Sequence, residues 1–111
     1  MSLKIVATPE FVKLVKKFAK SYRKIYLDIE SLQEELLANP RAGTDLGNNC
    51  YKIRMANSSI PTGKSGGFRV ITYYIDEQGV IRLMFIFSKR DRENISDKEL
   101  QEIIQRNILE P

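Results

Sequence analysis

The chain has 111 residues, 42% of them hydrophobic and 29% charged, a balance that fits one folded domain over 1–111 and excludes a disordered chain. It contains no histidine, which excludes Ser-His-Asp and Cys-His catalysis, histidine zinc sites and the ordinary proton shuttle of neutral pH. The net charge of +4 favours an anionic partner, and the single cysteine, Cys50, excludes an internal disulfide framework and fits a reducing compartment.

Leu3 to Ala7 is a short apolar run suited to a first strand. Thr8-Pro9-Glu10 then reads as a helix start: Thr8 caps, Pro9 suits the first helical position and Glu10 complements the dipole. Phe11, Leu14, Val15, Phe18 and Tyr22 recur at 3/4 spacing and give this helix one apolar face. Lys13, Lys16, Lys17, Lys20 and Lys24 fall mainly off that face, as a solvated surface. A second, acidic helix runs through Ile25, Ile29, Leu32 and Leu36 and ends near Asn39-Pro40, because Pro40 disfavours helical geometry in the residue before it. Gly43, Gly47, Asn48 and Asn49 mark a loop.

The period then changes to two. Tyr51, Ile53 and Met55 alternate with Lys52 and Arg54, the pattern of a half-buried strand. Phe68 to Ile75 is a second strand of this set, Asp76 to Gly79 a turn, and Val80 to Ser88 a third strand. That third strand is apolar on both faces apart from Arg82, so it belongs inside the sheet. Asp97 can cap a last helix with an apolar stripe of Leu100, Ile103, Ile104 and Ile108, either core or covered by a partner chain. The expected order is β-α-α-β-β-β-α, an α+β fold in which an antiparallel meander packs on a helical hairpin. The longest apolar run, Leu83 to Phe87, is too short to span a bilayer, and the N-terminus lacks a signal-peptide pattern, so a cytoplasmic location without membrane contact is expected.

Charge is unevenly spread. Leu46 to Ile75 carries Lys52, Arg54, Lys64 and Arg69 and no carboxylate. Spacing by two puts Lys52 and Arg54 on one face. In a meander the end of the third strand lies beside the start of the second, which brings Lys89 and Arg90 toward Arg69, with Arg92 just beyond. Like charges held together cost stability, so an anionic ligand is the natural completion. Thr62-Gly63-Lys64-Ser65 has the ending of a phosphate-binding P-loop, but Ser58 stands where the first glycine is needed and a strand, not a helix, follows. Lys64 is better read as a loop tip directed at a phosphate. Tyr51, Tyr73 and Tyr74 are read as core, with base stacking as the alternative.

Cys50-Tyr51-Lys52-Ile53-Arg54, Gly67-Phe68-Arg69-Val70-Ile71-Thr72-Tyr73-Tyr74 and Ser88-Lys89-Arg90-Asp91-Arg92 together resemble the strand motifs of the RelE/ParE toxin superfamily. Gly63-Lys64-Ser65-Gly66-Gly67-Phe68-Arg69 is similar to its HigB branch. The resemblance runs from the first strand to the last helix. It implies the toxin of a type II toxin–antitoxin system, an endoribonuclease that cuts mRNA on the ribosome without metal or cofactor. It also implies a cognate antitoxin, through which the pair meets operator DNA. The ribose 2′-hydroxyl would attack the adjacent phosphate, leaving a 2′,3′-cyclic phosphate and a 5′-hydroxyl.

By this resemblance Arg69 would stabilise the pentacoordinate phosphate, Lys52 and Arg54 would hold the backbone, and Arg90 would sit by the leaving oxygen. Lys64, Lys89 and Arg92 would contact RNA. Lys52 is the candidate base, since neighbouring cations lower a lysine pKa. Ile95 and Ser96 stand where the best-known RelE toxins carry a tyrosine, so the base stays open. Two alternatives also stay open: a ParE-like inhibitor of DNA gyrase, and an RNA-binding module without catalysis.

Overall fold

The computed structural model describes residues 2–61, 63 and 66–111. The chain order is β1 (Lys4–Ala7), α1 (Pro9–Ala19), α2 (Ile25–Ala38), β2 (Thr44–Gly47), β3 (Cys50–Met55), β4 (Phe68–Ile75), β5 (Val80–Ser88) and α3 (Asp97–Ile104). The strands form one sheet in the order β1-β5-β4-β3-β2. β3, β4 and β5 are the expected antiparallel meander, and β1 pairs in parallel with β5. The α+β class therefore stands, with β5 interior to the sheet.

The helix ends follow from local chemistry. The Thr8 hydroxyl accepts from the Phe11 amide at 3.3 Å, and Pro9 occupies the first turn where its missing N–H costs nothing. Ser96, not Asp97, caps α3, its hydroxyl accepting from the Glu99 amide at 3.1 Å. α3 continues into one wide turn, Gln105–Leu109, closed by the Glu110 amide donating to the Gln105 carbonyl at 2.8 Å. Among the described residues no helix is long and apolar enough to cross a membrane.

One expectation needs correction. The segment 43–49, read as a loop, contains a strand. β2 pairs with β3 in a hairpin whose two central residues, Asn48 and Asn49, have φ of 54° and 63°. Two consecutive left-handed residues make the tight turn whose twist matches paired strands, and asparagine tolerates that geometry better than most side chains. The Asp45 carboxylate accepts from the Gly47 amide at 2.8 Å and steadies the approach to this turn.

The sheet is covered on both faces. α1 and α2 pack on one, where Phe11, Val15, Ile25, Leu32 and Leu36 meet Ile53, Phe68, Val70, Ile81 and Ile86. α3 packs on the other, where Leu100, Ile103 and Ile104 meet Cys50, Ile71, Met84 and Phe87. The stripe of α3 is thus core. Met84 lies between Leu83, opposite Thr72, and Phe85, opposite Ile71. This one-residue bulge lets β5 keep large apolar side chains on both faces. The division of the second face matters for function: α3 covers only part of it, and the cations occupy the remainder.

Candidate nucleic-acid interface and catalytic face

Phe68 opens β4 and points into the helical hairpin, fully buried between Phe18 and Tyr22 with ring centroids 5.2 and 5.7 Å away, both edge-on. Side chains alternate along a strand, so anchoring Phe68 on that face commits Arg69 to the other. Gly67, one step earlier, has no room for a side chain. A Cβ there would stand 2.4 Å from the Met55 carbonyl oxygen and 2.8 Å from the Asn57 nitrogen. This close approach lets β4 begin flush against the end of β3.

The register completes the arrangement. Arg69 is directly opposite Arg54 on β3 and opposite Phe87 on β5, and Lys52 is opposite Ile71. Lys89 follows β5 immediately, its amide donating to the Gly67 carbonyl at 3.0 Å. Arg69 is only 7% exposed, so its guanidinium is held within the sheet face, donating to the Phe68 carbonyl at 3.1 Å. Arg54 is exposed and Lys52 half-buried.

These cations feel one another. Burial, then the charges of Lys89, Arg69 and Arg54, hold the Lys52 ammonium pKa below its usual value. Burial and then Arg54 lower that of Arg69, with the Glu93 carboxylate acting in the opposite sense. Both shifts mean that the folded protein disfavours added positive charge here, which is the electrostatic condition for binding an anion. A lysine with a lowered pKa is also better able to accept a proton near neutrality.

The other sequence-derived candidates are placed differently. Arg90 is exposed and stands beside Lys89 in a neighbouring groove with Ile60, Pro61 and Gly66. Arg92 turns toward α3: its guanidinium pairs with the Glu99 carboxylate, donates to the Asn94 carbonyl at 3.0 Å and stacks over the Phe87 ring at 5.4 Å. That contact ties the segment after β5 to the last helix. Lys89 donates to the Glu93 carbonyl at 2.8 Å and pairs with its carboxylate at 3.2 Å. Lys64 lies outside the described residues. Tyr51 and Tyr74 are core, the latter under the Arg41 guanidinium at 5.1 Å, and Tyr73 packs beside the α3 cluster.

Three contributors escaped the sequence reading. Asn94 accepts from Lys52 Nζ at 2.9 Å and orients that ammonium. Glu93 is a carboxylate at the cation group, paired with Lys89 and acting on Arg69. Asp28, counted with the acidic surface of the second helix, is 5% exposed. It accepts from the Ser58 amide at 2.9 Å and from the Ser58 hydroxyl, fastening the segment after β3 to α2. An asparagine or acid after a basic strand carries no sequence signal of its own; the signal appears only once the segment folds back. Among the described residues, no group of three or more Cys, Asp and Glu side chains is disposed to hold a metal ion. Cys50 is fully buried, and burial followed by the Asp45 charge pushes its thiol up to about 12, so it offers no thiolate nucleophile at neutral pH.

Comparison with known structures agrees with this architecture. The E. coli toxin RelE, solved in the free state as a double arginine-to-alanine mutant, is 19% identical, with 96% of this chain and 98% of that chain covered and a TM-score of 0.61. The isolated E. coli RelE toxin is 17% identical, with 95% and 99% covered and a TM-score of 0.49. At 19% identity the first of these likenesses concerns the fold alone. The family is given by the sequence itself: residues 10–107 match the model for the RelE toxin of the RelE/RelB toxin–antitoxin system. A match over nearly the whole chain, on a sheet that gathers Lys52, Arg54, Arg69 and Lys89 on one face, establishes that the chain belongs to the RelE toxin family, the toxin side of a toxin–antitoxin pair.

Proposed function

We propose that the protein is a ribosome-dependent mRNA endonuclease that arrests translation, held in check by a cognate antitoxin. The observation that carries this reading is the electrostatically coupled group Lys52, Arg54, Arg69 and Lys89, on the α3-side face beside the cluster that α3 packs on. Cleavage by a ribose 2′-hydroxyl requires three things: alignment of the nucleophile, stabilisation of charge on the phosphorane, and proton movement. Arg69, fixed by its backbone hydrogen bond and its neighbours, meets the second requirement without reorganisation at the moment of reaction. Arg54 and Lys89 hold the flanking phosphates. Lys52, oriented by Asn94 and with its pKa lowered, takes the 2′-hydroxyl proton. Arg90 serves the leaving 5′-oxygen by charge, since a guanidinium is a poor proton donor, and that oxygen takes its proton from solvent to become the 5′-hydroxyl.

The Gly63–Arg69 segment supports placing the protein in the HigB-like branch. Contact with operator DNA falls to the antitoxin, and the compartment is the cytoplasm. Brief induction in cells tests the function: 5′-end mapping should show new mRNA ends only where ribosomes are engaged. Arg69→Ala should lose growth arrest while still folding and binding antitoxin. Intact mRNA with altered DNA supercoiling would instead identify a gyrase inhibitor. A protein harmless when expressed alone would favour a binding module.

A further inference from the structure

Next to the cation group lies a groove of 430 Å³ between the segment after β3 and the end of β5, lined by Ile60, Pro61, Gly66, Lys89 and Arg90. Its two walls differ in chemistry. Ile60 and Pro61 are apolar and partly to fully exposed, and Lys89 and Arg90 are cationic. Gly66 contributes backbone without side-chain bulk. An apolar wall facing a cationic one is the pairing a nucleotide requires, a flat base on one side and a phosphate on the other.

Both walls are fixed before any ligand arrives. On the apolar side, Asp28 holds Ser58, the Asn57 carboxamide oxygen accepts from the Ser59 amide at 3.1 Å, and the Ile60 amide donates to the Asn57 carbonyl at 3.1 Å. The Lys24 amide donates to the Ser59 hydroxyl at 3.0 Å, tying the same turn to the start of α2. On the cationic side, the Lys89 amide is bound to Gly67 and the Arg90 amide donates to the Ser88 hydroxyl at 3.2 Å. Two walls each held by several hydrogen bonds to the surrounding chain form a preorganised cleft. Lys89 belongs both to this groove and to the electrostatic neighbourhood of Lys52, so the groove opens onto the proposed cleavage site.

We infer that this groove is a nucleotide subsite, which seats the base next to the cut phosphodiester on Ile60 and Pro61 and its phosphate on Lys89 and Arg90. This rests on the nuclease reading above and adds to it a determinant of where the RNA is cut. The described apolar wall, Ile60 and Pro61, selects by contact area, and the larger ring system of a purine covers more of it. The expected preference is for a purine over a pyrimidine.

Two measurements on Ile60→Ala/Pro61→Ala test this. Pro61 is exposed and Ile60 partly so, so the double variant should fold, and its thermal unfolding should stay close to that of the parent. The first measurement maps cut sites on ribosome-bound mRNA. The second measures affinity for ribosomes carrying mRNA with 2′-deoxyribose at the cut position, which binds without being cleaved. The variant should lose its purine preference and bind this probe about tenfold more weakly, the scale of losing a few buried methylene contacts. Pro61→Tyr, which enlarges the stacking surface, should keep both. Unchanged cut sites and unchanged probe affinity in the folded double variant would overturn the subsite. A parent protein that binds the probe but never cuts would overturn the nuclease reading, and probe affinity alone would then decide the subsite.

Discussion

Replacing Arg54 by glutamine should stabilise the fold while it removes function. Arg54 and Arg69 are directly opposed on neighbouring strands, and like charges in that position destabilise a sheet by roughly 0.2–1 kcal/mol. Arg54 is exposed, so solvent screening pulls the expected gain toward about 0.5 kcal/mol, or a rise of about 2 °C in melting temperature for a domain of this size. Losing one charged contact to RNA phosphate should lower cleavage by roughly ten- to a hundredfold. Urea unfolding at low and high salt is the assay, because the gain should shrink as salt screens the repulsion. A folded variant less stable at low salt would refute the reasoning. It would mean that attraction between Arg54 and the α2 acids Asp28 and Glu35, which line one cleft with it, outweighs repulsion from Arg69.

Lys52 gives a pH test. Its folded pKa lies below the usual lysine value, so stability should rise as pH climbs from the folded pKa to the unfolded one. Cleavage should climb with pH over the approach to the folded pKa, and Lys52→Arg should abolish that limb in a pH–rate profile. Asp28→Asn leaves the Ser58 amide and hydroxyl poorly matched in a partly buried site and should cost about 1 kcal/mol in urea unfolding, with Ser58→Ala costing less. Gly67→Ala pushes a methyl against the Met55 carbonyl and should cost about 1–3 kcal/mol, with loss of cleavage because the start of β4 and Arg69 shift together.

Most of this fold is legible in the sequence because its signals are local. Thr8-Pro9 marks the start of α1, Pro40 the end of α2, and strict alternation through Tyr51–Met55 the strand that carries Lys52 and Arg54. The hairpin at Thr44–Gly47 was not legible, since four residues with one large apolar side chain give no periodicity. Only the paired left-handed asparagines reveal it. The site was partly legible for a related reason. Charge and period two place Lys52, Arg54 and Arg69 on one face, and the meander brings Lys89 to them. The partners that orient these cations are long-range: Asn94 reaches Lys52 across 42 residues and Asp28 reaches Ser58 across 30. The pairing of Arg92 with Glu99 is likewise not legible in the sequence, because it depends on α3 folding back. Charge alone specifies a surface that can hold RNA, and the family resemblance adds the proposal that this surface cuts it.

The most direct test compares the parent protein with Arg69→Ala on purified ribosomes loaded with defined mRNA. With the parent, cleavage should yield a 2′,3′-cyclic phosphate on the upstream fragment and a 5′-hydroxyl on the downstream one. With Arg69→Ala, cleavage should fall by at least about a hundredfold, the scale expected for removing a preorganised charge stabiliser, while antitoxin affinity is unchanged. Full cleavage by the folded Arg69→Ala protein would contradict the assignment of the catalytic face.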